Sequence, residues 1–166
     1  AGFNTTDLSM LTGASKAMMI LLMLIGGSPS STAGGMKTTT FALLLLNVLA
    51  TFQSCDDVTA FGRRIDASVN ATTIAMMYFI LFFAGGVAIS VYEGLPLLDC
   101  LYEAASAVGT VGLTLGVTPG LHVFSQVVLI ILMYLGRVGG LTLIYAVFSD
   151  KNKRKARLPL DKIIVG

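Results

Sequence analysis

Asn70 to Ser90 is an uncharged run dominated by Ala, Met, Phe, Ile and Leu, about 20 residues long, which is the length that carries a helix across the hydrocarbon core of a bilayer. No feature of the chain restricts its folding more. A lipid-embedded backbone must pair every N–H and C=O internally, which leaves helices or a closed barrel. The rest of the chain agrees. With 55% hydrophobic residues, 12% charged residues and a mean hydropathy of +0.83, its 166 residues are too apolar for an ordinary soluble domain. The chain reads as an all-α integral membrane protein.

Three further apolar runs surround this span. Phe124 to Phe148 is about 25 residues long and holds Arg137 near its middle. Ala14 to Gly27 is oily but, at about 14 residues, short for a crossing. The segment after it, from Ser28 to Lys37, contains Pro29, the hydroxyl residues Ser28, Ser30, Ser31 and Thr32, and the pair Gly34 and Gly35, so it cannot continue the helix. Thr38 to Thr51 is oily again. The economical reading is one crossing interrupted in its middle. Irregular backbone at membrane depth survives only where protein buries it or where it lines a water-filled path, so the break points to function.

Leu95 to Ala107, with Asp99 and Glu103 four apart, is too short and too polar to cross. It suits a re-entrant helix dipping from outside, its C-terminal end turning partial negative charge toward a cation. The competing reading is an interfacial helix, but those usually carry a basic polar face. The segment that follows, Ala105 to Thr114, is small and glycine-punctuated and resembles the selectivity filter of a potassium channel. Extended backbone held inside protein can replace a cation's hydration shell with carbonyl oxygens, and glycine permits the required turns. The order of a Gly-centred segment followed by a span occurs twice, at Ala1-Gly2-Phe3-Asn4-Thr5 and at Thr110-Val111-Gly112-Leu113-Thr114. A ring-shaped filter can be built by such repetition in one chain.

These stretches, with Gly26 to Thr40, Tyr102 to Pro119 and Gly136-Arg137-Val138-Gly139-Gly140, make the chain similar to the Trk/Ktr/HKT superfamily of cation transporters, and the end Leu158 to Gly166 resembles the Ktr branch. The resemblance implies potassium-channel-like repeats of outer helix, re-entrant pore helix, filter and inner helix, four to a pore. Residues 1–54 would then end the third repeat with its filter and broken inner helix, 55–69 connect on the cytoplasmic side, 70–149 form a complete fourth repeat, and 150–166 form a cytoplasmic tail. The chain is accordingly expected to be a C-terminal fragment, and its first residues, Ala1 to Thr5, also look internal.

The same resemblance implies function and site. Potassium, or sodium, would cross a plasma-membrane pore through the backbone of Ala1, Gly2, Thr110, Val111 and Gly112, flanked by Phe3 and Leu113. Glycine at Gly2 and Gly112 goes with potassium preference in the superfamily, and serine at such a position with sodium permeation. Ser31, Thr32, Ala33, Gly34 and Gly35 would form the intramembrane gate. Arg137, which costs roughly 2.5–3.5 kcal/mol at a span centre unless it faces a cavity or partner, would be a fixed positive charge below the filter. Its alternative is an internal salt bridge, for which Asp99 and Glu103 are poorly placed. Lys37 either adds a second charge to the inner cavity or snorkels to the cytoplasm; the residues do not separate these. Implied partners are a second pore subunit in a homodimer and a cytosolic ring of nucleotide-binding regulatory subunits.

Other signals exclude functions. Lys151, Lys153, Arg154, Lys155 and Arg157 place the C-terminus on the cytoplasmic side, and Arg63 and Arg64 place their connection there too; a basic run flanking a span implies no nucleic-acid partner. Met36-Lys37-Thr38 is not a phosphate-binding loop, because Gly must precede the Lys. Cys55 and Cys100 fall on opposite sides of the membrane and should not bridge. His122, the one histidine, has no ligand cluster around it and is assigned no role. No nucleophile and base pair emerges, so no enzyme and no cofactor is expected. Gly85, Gly86, Gly136, Gly139 and Gly140 read as helix-packing positions. A secondary transporter with discontinuous helices, moving sodium or another small solute, is the alternative.

Overall fold

The computed structural model describes residues 2–52, 59–60, 63–64 and 68–138. Ala1, Cys55, Gly139, Gly140 and the basic C-terminal stretch lie outside them. The described chain is helical: α1 is Gly13–Leu24, α2 Thr38–Phe52, α3 Ser68–Glu93, α4 Leu97–Val108 and α5 Val123–Val138. Short 3-10 turns at Leu8–Met10 and Thr118–Gly120 precede α1 and α5. A short strand pair accompanies the helices: β1, Thr59–Ala60, is paired antiparallel with β2, Arg63–Arg64, inside the connection expected on the cytoplasmic side.

Helix α3 is longer than the apolar run that predicts it, and its stretch Ala71–Glu93 is the one described helix long and apolar enough to cross a membrane. The interrupted span is present: α1 stops at Leu24 and α2 starts at Thr38. Helix α4, where a re-entrant helix was expected, is the hub, packed against α1, α3 and α5. Its second half is buried without interruption from Tyr102 to Val108. Small side chains at Ala104, Ala105, Ser106 and Ala107 let the neighbours approach, as in membrane helix packing generally.

The surrounding helices each turn one stripe inward. In α5, Ser125, Leu129, Leu132 and Gly136 are buried at spacings of three and four, the helical repeat. In α3 the buried set includes Ala71, Tyr78, Phe82 and Ile89. The outward stripes are as oily as the inward ones: Met76, Phe79, Ile80 and Phe83 on α3 and Leu45, Val48, Leu49 and Phe52 on α2 are all substantially exposed. A helix apolar on every side is suited to lipid or to further protein. Gly85 meets Leu132 of α5, and Gly86 meets Leu101 of α4. Gly136 is tighter still, since a Cβ there would lie 2.1 Å from the Val108 carbonyl oxygen.

Landmarks recur along the chain at a constant offset. Gly2 and Gly112 both have left-handed backbone, with φ of 65° and 83°. The 3-10 turns begin at Leu8 and Thr118, and the helices after them begin at Gly13 and Val123.

Candidate functional site

The end of α4 turns directly into the filter-like segment. Gly109 N–H donates to the Ala105 carbonyl at 2.8 Å, Thr110 N–H to Ala107 at 3.2 Å and Val111 N–H to Ser106 at 2.9 Å. The last carbonyls of α4 are thus largely occupied by the turn itself. Thr110 is left-handed, with φ of 54°, an uncommon state for a β-branched residue that persists only where surroundings enforce it. Gly34 supplies that enforcement, donating its N–H to Thr110 Oγ1 at 2.8 Å.

Gly2 lies against this segment. A Cβ built on Gly2 would sit 2.3 Å from the Gly112 carbonyl oxygen, so the two Gly-centred segments are in backbone contact and only glycine permits it. Phe3 extends its ring outward and is 86% exposed. Ala1 lies outside the described residues.

The interruption between α1 and α2 is a loop whose ends are tied together. Ile25 and Met36 form a parallel bridge, with Gly26 N–H donating to the Met36 carbonyl at 2.6 Å and Met36 N–H to Leu24 at 3.3 Å. Its returning limb, buried at Gly34 and Gly35, reaches the filter-like segment and α5: besides the Gly34 bond to Thr110, Gly35 N–H donates to the Gly136 carbonyl of α5 at 3.3 Å. Lys37 is tied to cavity-lining residues of its own loop. Its ammonium donates to the carbonyls of Ser31 at 2.9 Å and Ala33 at 2.7 Å, inside its own loop. Arg137, from the last turn of α5, donates through Nη1 to the Thr32 carbonyl.

These parts line an open cavity of about 850 Å³, bordered by Ser31, Thr32 and Ala33 from the loop, Thr110, Gly112 and Leu113 from the filter-like segment, Glu103 of α4, and Arg137. The alternative of an internal salt bridge for Arg137 has no partner in the two carboxylates considered. Asp99 pairs with Lys16 of α1 at 2.7 Å, and Glu103, which lines the same cavity, is hydrogen-bonded to Thr114, Leu115 and Thr118 and not to Arg137.

Glu103 is a residue that sequence reasoning missed. Its side chain, on a residue only 5% exposed, accepts from Thr114 Oγ1 at 2.6 Å and Leu115 N–H at 2.9 Å through one oxygen, and from Thr118 Oγ1 at 2.8 Å through the other. Glu93 was missed too. At the end of α3 it accepts from the His122 N–H at 2.9 Å and Ser125 Oγ at 2.6 Å, and lies 2.8 Å from His122 Nδ1. His122, expected to be idle, therefore helps fasten α5 to α3. The composition of α4 marks Glu103 as unusual, since a carboxylate among small apolar residues requires partners. Nothing in the spacing names those partners. Among the described residues no cluster of side chains is suited to hold a metal ion.

Comparison with known proteins gives the same direction. Residues 1–155 match the TrkH family of cation transport proteins. The chain is 34% identical over 168 residues to Ktr system potassium uptake protein B of Bacillus subtilis (strain 168), covering 100% of this chain and 38% of that protein. It is 34% identical over 167 residues to Ktr system potassium uptake protein D of the same organism, covering 99% and 37%. The potassium/sodium uptake protein NtpJ of Enterococcus hirae is 36% identical over 132 residues, covering 75% of this chain and 29% of that protein. The chain thus spans less than two fifths of the length of these relatives. All are transporters and not enzymes by name, and the range matched by the family, residues 1–155, includes the filter-like segment, the loop and Arg137. The chain belongs to the TrkH cation transport protein family, as a Ktr-type member of the Trk/Ktr group.

Proposed function

We propose that this chain forms part of the pore of a potassium uptake protein, contributing the end of one channel-like repeat and the whole of the next. Carbonyls of Ala1, Gly2, Thr110, Val111 and Gly112 coordinate the dehydrated cation, with Phe3 and Leu113 flanking them. One observation carries this reading: the left-handed Gly2 and Gly112 touch through their backbones, beside a cavity shared by Gly112, the loop and Arg137. The equal spacing from each of these glycines to a 3-10 turn and then a helix supports two copies of one unit.

In this reading Ser31 to Gly35 form the gate, and Arg137 and Lys37 hold its carbonyls. The complete protein acts as a homodimer on a cytosolic nucleotide-binding ring that moves the gate, with its C-terminus in the cytoplasm. The relatives' names support potassium, and the potassium/sodium uptake relative supports sodium as a second permeant ion.

The test uses the complete protein. It should restore growth of a potassium-uptake-deficient cell at low external potassium, and Gly112→Ser should lower the potassium-to-sodium permeability ratio. Left-handed backbone costs a non-glycine residue roughly 1–2 kcal/mol, so the serine variant should relax the segment, and a shift of about tenfold in the ratio corresponds to that energy. An unaltered ratio would exclude Gly112 from the filter. The broken helix favours a second reading, a carrier with discontinuous helices. A carrier coupled to another solute would show no reversal potential that follows the potassium gradient.

A further inference from the structure

We propose that Glu103 is the positioning residue that holds the filter segment to its geometry, and so sets ion selectivity without touching the ion. The inference rests on the pore reading above. Helix α4 grips the chain that follows it at two places. The Ser106 carbonyl accepts the Val111 N–H, and the Glu103 carboxylate accepts the Thr114 hydroxyl and Leu115 N–H. Glu103 and Ser106 are three apart and share one face of the helix. Gly112 and Leu113 therefore lie between two anchors on one rigid element. The second carboxylate oxygen accepts the Thr118 hydroxyl, which extends the outer anchor to the 3-10 turn before α5.

The chemistry of the anchor is specific. A carboxylate can accept several hydrogen bonds at once, and bonds to an ionised acceptor are shorter and about twice as strong as neutral ones. No lysine or arginine pairs with Glu103 among the described residues, and the hydrogen bonds its side chain accepts come from the chain that follows α4. That segment is otherwise glycine-rich and free of regular structure between Val111 and Val117, and would relax if the carboxylate were lost.

The experiment measures the potassium-to-sodium permeability ratio of the complete protein, with the amount in the membrane determined in parallel. Glu103→Ala removes all three hydrogen bonds and should lower the ratio at least about tenfold, the factor that corresponds to losing only one of them. Glu103→Gln keeps the length and one acceptor oxygen and should retain most of the selectivity. Glu103→Asp keeps the charge but is one methylene too short and should lose it. The reverse order, with Asp selective and Gln not, would show that charge and not positioning matters, and would overturn the proposal. If Glu103→Ala does not reach the membrane, Thr114→Val and Thr118→Val each remove one donor and should lower the ratio several-fold; unchanged ratios in both overturn it. A wild-type protein that conducts no potassium rejects the pore reading itself, whereas a selective wild type with an equally selective Glu103→Ala rejects only the role of Glu103.

Discussion

A guanidinium in a membrane protein needs a cavity or a partner, and Arg137 has both: it lines the cavity and donates to the Thr32 carbonyl. In the proposed pore these two contacts act in the same direction. Two unit charges about 8 Å apart at an effective dielectric near 20 repel by about 2 kcal/mol, so removing the charge favours a cation in the cavity. Removing the donor also releases the loop. Arg137→Ala in the complete protein should therefore raise cation flux, by roughly tenfold or more if the charge alone acts as above. Arg137→Lys keeps the charge and loses the planar fork. Flux measured in cells or proteoliposomes should place the lysine variant between wild type and alanine, and flux unchanged in the alanine variant would remove the barrier role. The residue itself was legible in the sequence because a lone charge in an apolar run is conspicuous. Its partner was not, because a backbone carbonyl 105 residues away leaves no mark on residue types.

Among the elements, the loop between α1 and α2 carries the most consequence. Its ends are closed by the Ile25 and Met36 bridge, while its returning limb is tied to Thr110 through Gly34 and to Gly136 through Gly35. The ties to the filter side are single hydrogen bonds to neutral acceptors, each worth about 1 kcal/mol net, which suits the proposed gate. Deleting Ser31 to Gly35 in the complete protein removes both ties and the contact with Arg137 together. We expect ion flux that persists under conditions in which the proposed regulatory partner would hold the wild type shut; a correctly inserted but silent protein would make the loop structural. Proline and paired glycines announce such a break in any sequence, and apolar length announces α3, so the helical layout was readable. The bracing of the site was not. Glu103 reaches residues 11 to 15 positions ahead and Glu93 reaches 29 or more, distances that only the packed helices determine. The two-residue pairing of β1 with β2 had no alternation to predict it.

At the scale of the whole molecule, the described helices form a core around α4 but leave broad apolar faces uncovered. None of the residues of α2 is buried, and the α3 stripe through Met76, Phe79, Ile80 and Phe83 remains open, with Ile80 56% exposed. In water such a stripe would drive association; facing acyl chains, or the rest of a protein of which the relatives are more than twice as long, it costs nothing. Ile80 sits at the middle of α3, Ser68–Glu93, where a charge meets the full depth of the hydrocarbon. An aspartate at a span centre is unfavourable by roughly 2.5–3.5 kcal/mol on insertion scales. Ile80→Asp should accordingly reduce the carbonate-resistant membrane fraction of the complete protein by well over half. Ile80→Leu, which preserves apolar area, should leave that fraction unchanged. The comparison discriminates between environments, because an exposed aspartate on a face bathed in water would cost a fraction of a kcal/mol and often improve solubility. Wild-type levels of membrane-integrated Ile80→Asp would therefore mean that α3 turns this stripe toward a polar interior, and the direction in which the four-helix core faces the pore would have to be reversed.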